Sequence, residues 1–159
     1  SAGVQFNTRA GSVISNCTIA KNQFINLGHG EGAGTSGGIL VISEGTNDPV
    51  MTNLYVHQNT FTTVVGKEPF YCFDFTSQAN GNATGVTIRN NMINGFLSAW
   101  ISGSNPTKMN KVALLHNQVT NCGNNNKPLW PGGDPASYTY DYKMGDPNDQ
   151  NRINFRTDQ

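Results

Sequence analysis

Across 159 residues the chain is 36% hydrophobic and only 13% charged, with ten Lys and Arg against ten Asp and Glu, and with 18 glycines. That is one domain's length, with about half the usual share of charge and a composition suited to many short strands and tight turns. Neutrality leaves no broad positive field for a phosphate backbone or an anionic bilayer, which argues against nucleic-acid and membrane partners. The longest apolar run, Ile39 to Ile42, is far short of the ~20 residues of a membrane span, and a soluble domain is expected.

The first expected element is a strand at Gly3-Val4-Gln5-Phe6. A ten-residue phrase follows, NCTIAKNQFI around Asn22. It returns as NLYVHQNTFT around Asn59, GVTIRNNMIN around Asn91 and KVALLHNQVT around Asn117. In register the copies align Cys17, Ile19 and Phe24 with Leu54, Val56 and Phe61, then Val86, Ile88 and Ile93, then Val112, Leu114 and Val119. Alternation before the asparagine is the period of a strand, and recurrence at 37, 32 and 26 residues marks a stack of rungs with loops of unequal length. Between phrases lie further strand candidates at Gly38 to Ile42, Tyr71 to Phe75 and Leu97 to Ile101. Polar loops follow them at Glu44 to Pro49, Ser77 to Gly85 and Ser102 to Asn110. Every interval is therefore expected to hold two strands, two turns and an adjustable loop. No stretch carries a sustained 3.6-residue apolar period with caps, so helices should be minor.

Residues 123–159 change character. Pro128, Pro131, Pro135 and Pro147, with Gly132-Gly133, preclude long regular strands. Tyr138, Tyr140 and Tyr142 alternate on one face of a short strand, and Ile153-Asn154-Phe155 reads as a last partial rung. Two readings stand side by side: an extended tail packed on the stack, or an arm whose tyrosines and Trp130 dock on a neighbouring subunit.

The four phrases, I-x-x-N-x-F at Ile19-Asn22-Phe24 and its counterparts at Asn59, Asn91 and Asn117, resemble the right-handed parallel β-helix of pectate-lyase-like proteins and bacteriophage tailspikes. The resemblance implies an all-β fold, a right-handed parallel β-helix of about four to five coils over residues 1–122, with an irregular, extended tail over 123–159. In such coils the residue at the corner between sheets is often Asn, which tolerates a left-handed backbone and can bond to its counterpart one rung away. Asn22, Asn59, Asn91 and Asn117 are the expected structural ladder. Rungs about 4.8 Å apart give a column on the order of 20 Å long with open strand edges, so a subunit of an assembly or a piece of a longer parent chain is expected. The tailspike likeness implies a side-by-side homotrimer on a virion tail or in another extracellular setting.

Cys17, Cys72 and Cys122 cannot all pair within one chain and form no C-x-x-C motif, so they read as reduced thiols acting as small hydrophobes. No cofactor is implied. His29, His57 and His116 are too scattered for a zinc site, and no metal is expected.

If Leu54, Val56, Val86 and Ile88 face inward, then Tyr55, His57 and Arg89 gather on one outward face. There a ring can stack on a sugar and a guanidinium can grip a carboxylate. On the other strands, aligning the trailing Ser43, Thr76 and Ser102 puts Val41, Asp74 and Trp100 in one outward column, with Glu44 just beyond. A carboxylate beside an indole suits a carbohydrate subsite. Glycoside hydrolysis uses two carboxyl groups about 5 to 9.5 Å apart, and Asp74 with Glu44 is the best catalytic pair, with Glu68 and Glu31 in reserve. Gly28-His29-Gly30 resembles one signature of the polygalacturonases, but their other signatures are missing and a flexible loop is the reading preferred. The leading expectation is a tailspike-like segment that binds a bacterial surface polysaccharide, any enzymatic activity being that of a polysaccharide depolymerase, whether glycoside hydrolase or lyase. The alternatives are a free-standing pectate-lyase-like polysaccharide lyase or hydrolase, and a non-catalytic structural or assembly domain of a larger fibrous protein.

Overall fold

The computed structural model describes residues 2–9, 13–28, 36–44, 49–75, 82–97, 99–103, 109–123 and 152–155. These residues form strands and no helix. In chain order the strands are β1 (Val4–Arg9), β2 (Ile14–Ala20), β3 (Gln23–Leu27), β4 (Ser36–Glu44), β5 (Pro49–His57), β6 (Thr60–Thr63) and β7 (Tyr71–Phe75). Then come β8 (Asn82–Arg89), β9 (Met92–Asn94), β10 (Ala99–Gly103), β11 (Met109–Leu115), β12 (Gln118–Cys122) and β13 (Arg152–Phe155). The expected sites at Gly30, His29, Glu31, Trp130 and the three alternating tyrosines lie outside the described residues.

All pairing is parallel and steps by three along the chain, except that β13 joins β12 directly. A first sheet runs β1-β4-β7-β10, a second β2-β5-β8-β11, and a third β3-β6-β9-β12-β13. Two strands per interval were expected; three are found. The repeated phrase is itself two strands in different sheets, because the chain turns a corner at its asparagine.

Register places like over like. Cys17 pairs with Leu54 and Ile19 with Val56; Val56 with Ile88; Ile88 with Leu114 and Val86 with Val112. Across the corner Phe24 pairs with Phe61, Phe61 with Ile93 and Ile93 with Val119. A slip of one residue would turn each of these columns out to water, so burial itself fixes the register. Inside, the Phe24 and Phe61 rings stack at 4.7 Å and 3°. Phe73 of the first sheet meets Phe61 edge-on at 5.2 Å and 76°, tying the first sheet to the third.

At each corner the asparagines bond in series. The Asn59 Oδ1 accepts from the Asn22 backbone N–H at 3.0 Å and from its Nδ2 at 3.1 Å. Asn91 Oδ1 accepts the same two groups of Asn59 at 2.9 and 3.1 Å, and Asn117 Oδ1 those of Asn91 at 3.1 and 3.0 Å. Each later Nδ2 also donates to a carbonyl one cycle back: Asn59 to Ile19, Asn91 to Val56, Asn117 to Ile88. Asn59, Asn91 and Asn117 are each 1% exposed, and the series satisfies what burial would otherwise leave costly.

The left-handed backbone, however, is not at the asparagines. It falls one residue earlier, at Lys21, Gln58, Asn90 and His116, with φ of 59°, 55°, 53° and 54°. Their side chains are exposed, so the twist that turns the chain is borne outside while the carboxamide behind it is aimed inward. A second left-handed column bends the second sheet within its strands, at Asn16, Asn53 and Gly85, with φ of 55°, 55° and 70°. There Asn53 Nδ2 donates to Asn16 Oδ1 at 3.1 Å. A Cβ on Gly85 would stand 2.6 Å from Asn53 Oδ1, which accounts for glycine at that step.

Candidate functional site

On the second sheet, Leu54, Val56, Val86 and Ile88 are fully buried, and strand alternation therefore turns Tyr55, His57, Thr87 and Arg89 outward. His57 lies directly beside Arg89 in the register. The Tyr55 ring lies 4.5 Å from the His57 ring with their planes 34° apart. Gln58 Oε1 sits 3.1 Å from His57 Nδ1 and holds the imidazole from the corner side. Tyr55 and His57 are half-buried while Arg89 is exposed, and among the described residues Arg89 has no ion pair. A ring surface, an imidazole and an exposed guanidinium are thus presented side by side. Such a group can stack on the C–H face of a sugar and bind a carboxylate through two parallel N–H donors.

The first sheet is arranged differently from expectation. Asp74 pairs with Leu40 on one side and Ser102 on the other, not with Val41 and Trp100. The trailing polar residue is a false anchor because its distance from the paired positions differs from strand to strand: Ser43 comes three residues after Leu40, Thr76 two after Asp74, and Ser102 is itself opposite Asp74. Val41 follows the buried Ile39 side and is 3% exposed. Asp74 stands on the face opposite Phe73, yet Cys72, Phe73 and Asp74 are all at 0% and Phe75 at 5%. This strand is covered on both faces, and its carboxyl group is closed to solvent.

Glu44 lies opposite Arg9, four residues beyond Leu40, or about 13 Å further along the strand at ~3.3 Å per residue. Trp100 falls opposite Cys72, between the pairs Ala99 with Tyr71 and Ile101 with Phe73. The side chains of Glu44 and Trp100 lie outside the described residues. Glu68 is half-buried in the link between β6 and β7. Among the described residues no group of three His, Cys, Asp or Glu could hold a metal ion.

The third sheet carries a feature that the sequence reading passed over. A shallow pocket of about 170 Å³ opens on it, lined by Phe61 and Ile93 and by the outward residues Thr60, Thr62, Met92, Asn94, Gln118 and Thr120. The signal was present in the repeat, since the six outward residues stand one and three places after the asparagines of the last three copies.

Cys72 and Cys122 are fully buried and Cys17 half-buried, all as free thiols. Burial, reinforced by nearby Cys122, holds the Cys72 thiol well above its ordinary range, which makes it a poor nucleophile. No family model matches the chain, and neither the curated proteins nor the solved structures contain a match.

Proposed function

We propose that this chain is a right-handed parallel β-helix of about four to five coils that binds an acidic bacterial surface polysaccharide, as a segment of a tailspike-like host-recognition appendage. The observation that carries this reading is the open face where Tyr55 lies against His57 and Arg89 stands beside it in the register. Stacked parallel sheets support the scaffold half of the reading. Binding rather than cleavage is the role assigned, since Asp74 is buried and its register neighbours are Leu40 and Ser102. Assembly as a homotrimer is part of the same proposal.

The test is calorimetric titration with acidic and neutral surface polysaccharides, beside light scattering of the protein alone. The expected results are a mass three times that of one chain, and binding of uronate- or sialate-containing polymers that weakens about tenfold in Arg89→Ala, the worth of a charge-assisted hydrogen bond. Arg89 is exposed, so the variant folds. Acidic polymer bound equally by wild type and Arg89→Ala would overturn the site, and a monomer would overturn the assembly.

A further inference from the structure

The pocket on the third sheet is chemically unlike the face beside it. Besides Phe61 and Ile93 at its floor, it is lined by three threonines, an asparagine, a glutamine and a methionine; none of the eight bears a charge, and the exposed lining is mostly apolar. Met92 is 55% exposed and forms an apolar ledge in the middle strand. Around it the polar groups are partly committed in ways that orient them. The Thr120 hydroxyl has two acceptors in reach, Ile93 O at 3.4 Å and Asn94 Oδ1 at 3.3 Å, and the Asn94 NH₂ group carries two further donors. Thr62 Oγ1 accepts from the Asn26 backbone N–H at 3.4 Å, which leaves its hydroxyl hydrogen to donate elsewhere. Gln118 is exposed and offers both a carbonyl and an NH₂ group.

Strands of a parallel sheet lie about 4.8 Å apart, so these hydroxyls and amides form a grid at the spacing of substituents across a pyranose ring. The volume, about 170 Å³, is that of one hexose rather than of a peptide segment. We infer that this pocket is a subsite for a single uncharged hexose or N-acetylhexosamine, with Met92 under the C–H face of the ring and Asn94, Gln118 and Thr62 on its hydroxyls. The inference rests on the glycan-binding reading for its ligand class, but it uses a different sheet and needs no charge.

Amide chemical shifts of the protein are followed on titration with the methyl glycosides of glucose, galactose, mannose and N-acetylglucosamine. At least one should bind in the millimolar range, with shifts centred on β6, β9 and β12. Asn94→Ala and Gln118→Ala, both at exposed positions, should each weaken it about fivefold, as expected for one lost neutral hydrogen bond. Arg89→Ala and added salt should leave it unchanged. No shift with any of the four glycosides, shifts centred elsewhere, or full affinity in Asn94→Ala would overturn the inference. Concentration-dependent broadening of the same strands without sugar binding would also overturn it, by assigning the pocket to contact between copies. Acidic polymer binding that needs Arg89, with no glycoside binding here, would sink this subsite and leave the proposed function standing.

Discussion

Replacing Asn91 by alanine should cost far more than replacing Asn22, although the two occupy equivalent places in the repeat. The Asn91 carboxamide makes four bonds: Oδ1 accepts from Asn59 N and Nδ2, and Nδ2 donates to Val56 O and Asn117 Oδ1. Its loss orphans the backbone N–H of Asn59, a residue 1% exposed, at about 1 to 3 kcal/mol. Asn59 Nδ2 retains the Ile19 carbonyl, and the remaining bonds are worth about 1 kcal/mol each. The total is about 4 kcal/mol. Asn22→Ala removes only two exposed or half-buried bonds, to Asn59 Oδ1 and Ala20 O, and Asn59 Oδ1 keeps its bond from the Asn22 backbone. That loss should be near 1 kcal/mol. Urea unfolding followed by circular dichroism reads the difference directly. With a slope of about 2 kcal/mol per molar, the midpoint of Asn91→Ala should fall by about 2 M and that of Asn22→Ala by about 0.5 M. Equal shifts in the two variants would refute the claim that burial of the series, rather than the presence of asparagine, supplies its worth.

Gly38→Ala should also destabilise. A Cβ there would run into the carbonyl oxygen of Cys72 on the neighbouring strand and stand 3.1 Å from its sulfur, forcing β4 off β7 at about 2 to 3 kcal/mol; an unchanged urea midpoint would mean that the first sheet is more loosely paired than described. The Cys72 thiol predicts a pH dependence. Its folded pKa is raised by burial and by Cys122, while the unfolded thiol ionises near pH 8.5. Above that pH the unfolded chain holds fewer protons, so stability present at neutral pH declines as pH rises, by up to about 1.4 kcal/mol per unit. Subtracting the profile of Cys72→Ala should isolate that decline, and parallel profiles would contradict it.

What could be read from the sequence depended on whether a position is defined by its side chain or by its backbone. The inward columns and the corner asparagines were legible because the same chemistry must recur at each level: an apolar group where the core is, a carboxamide where it bonds above and below. The left-handed positions were not. Lys21, Gln58, Asn90 and His116 share a backbone angle and no common side-chain chemistry, since all four side chains are exposed. Likewise the first sheet offered no recurring polar residue inside its strands, so its register was hung on the Ser and Thr that follow. Those residues trail the paired positions by unequal distances, so the alignment failed and Val41, expected on the surface, is a core position. The shared face of Tyr55, His57 and Arg89 was legible because their strands contain the repeat; the third-sheet pocket was overlooked because threonines and amides beside a turn look like turn chemistry.

The corner asparagines also have a direction. At each of the three links the earlier carboxamide donates to the oxygen of the later one, so the four C=O groups point the same way along the row, as peptide carbonyls do in a helix. The carbonyl end of that row is Asn22, and the residue next to it is Lys21. The row of aligned carbonyls thus starts at an exposed asparagine with a lysine next to it in the chain, a placement that favours the cation at the oxygen end.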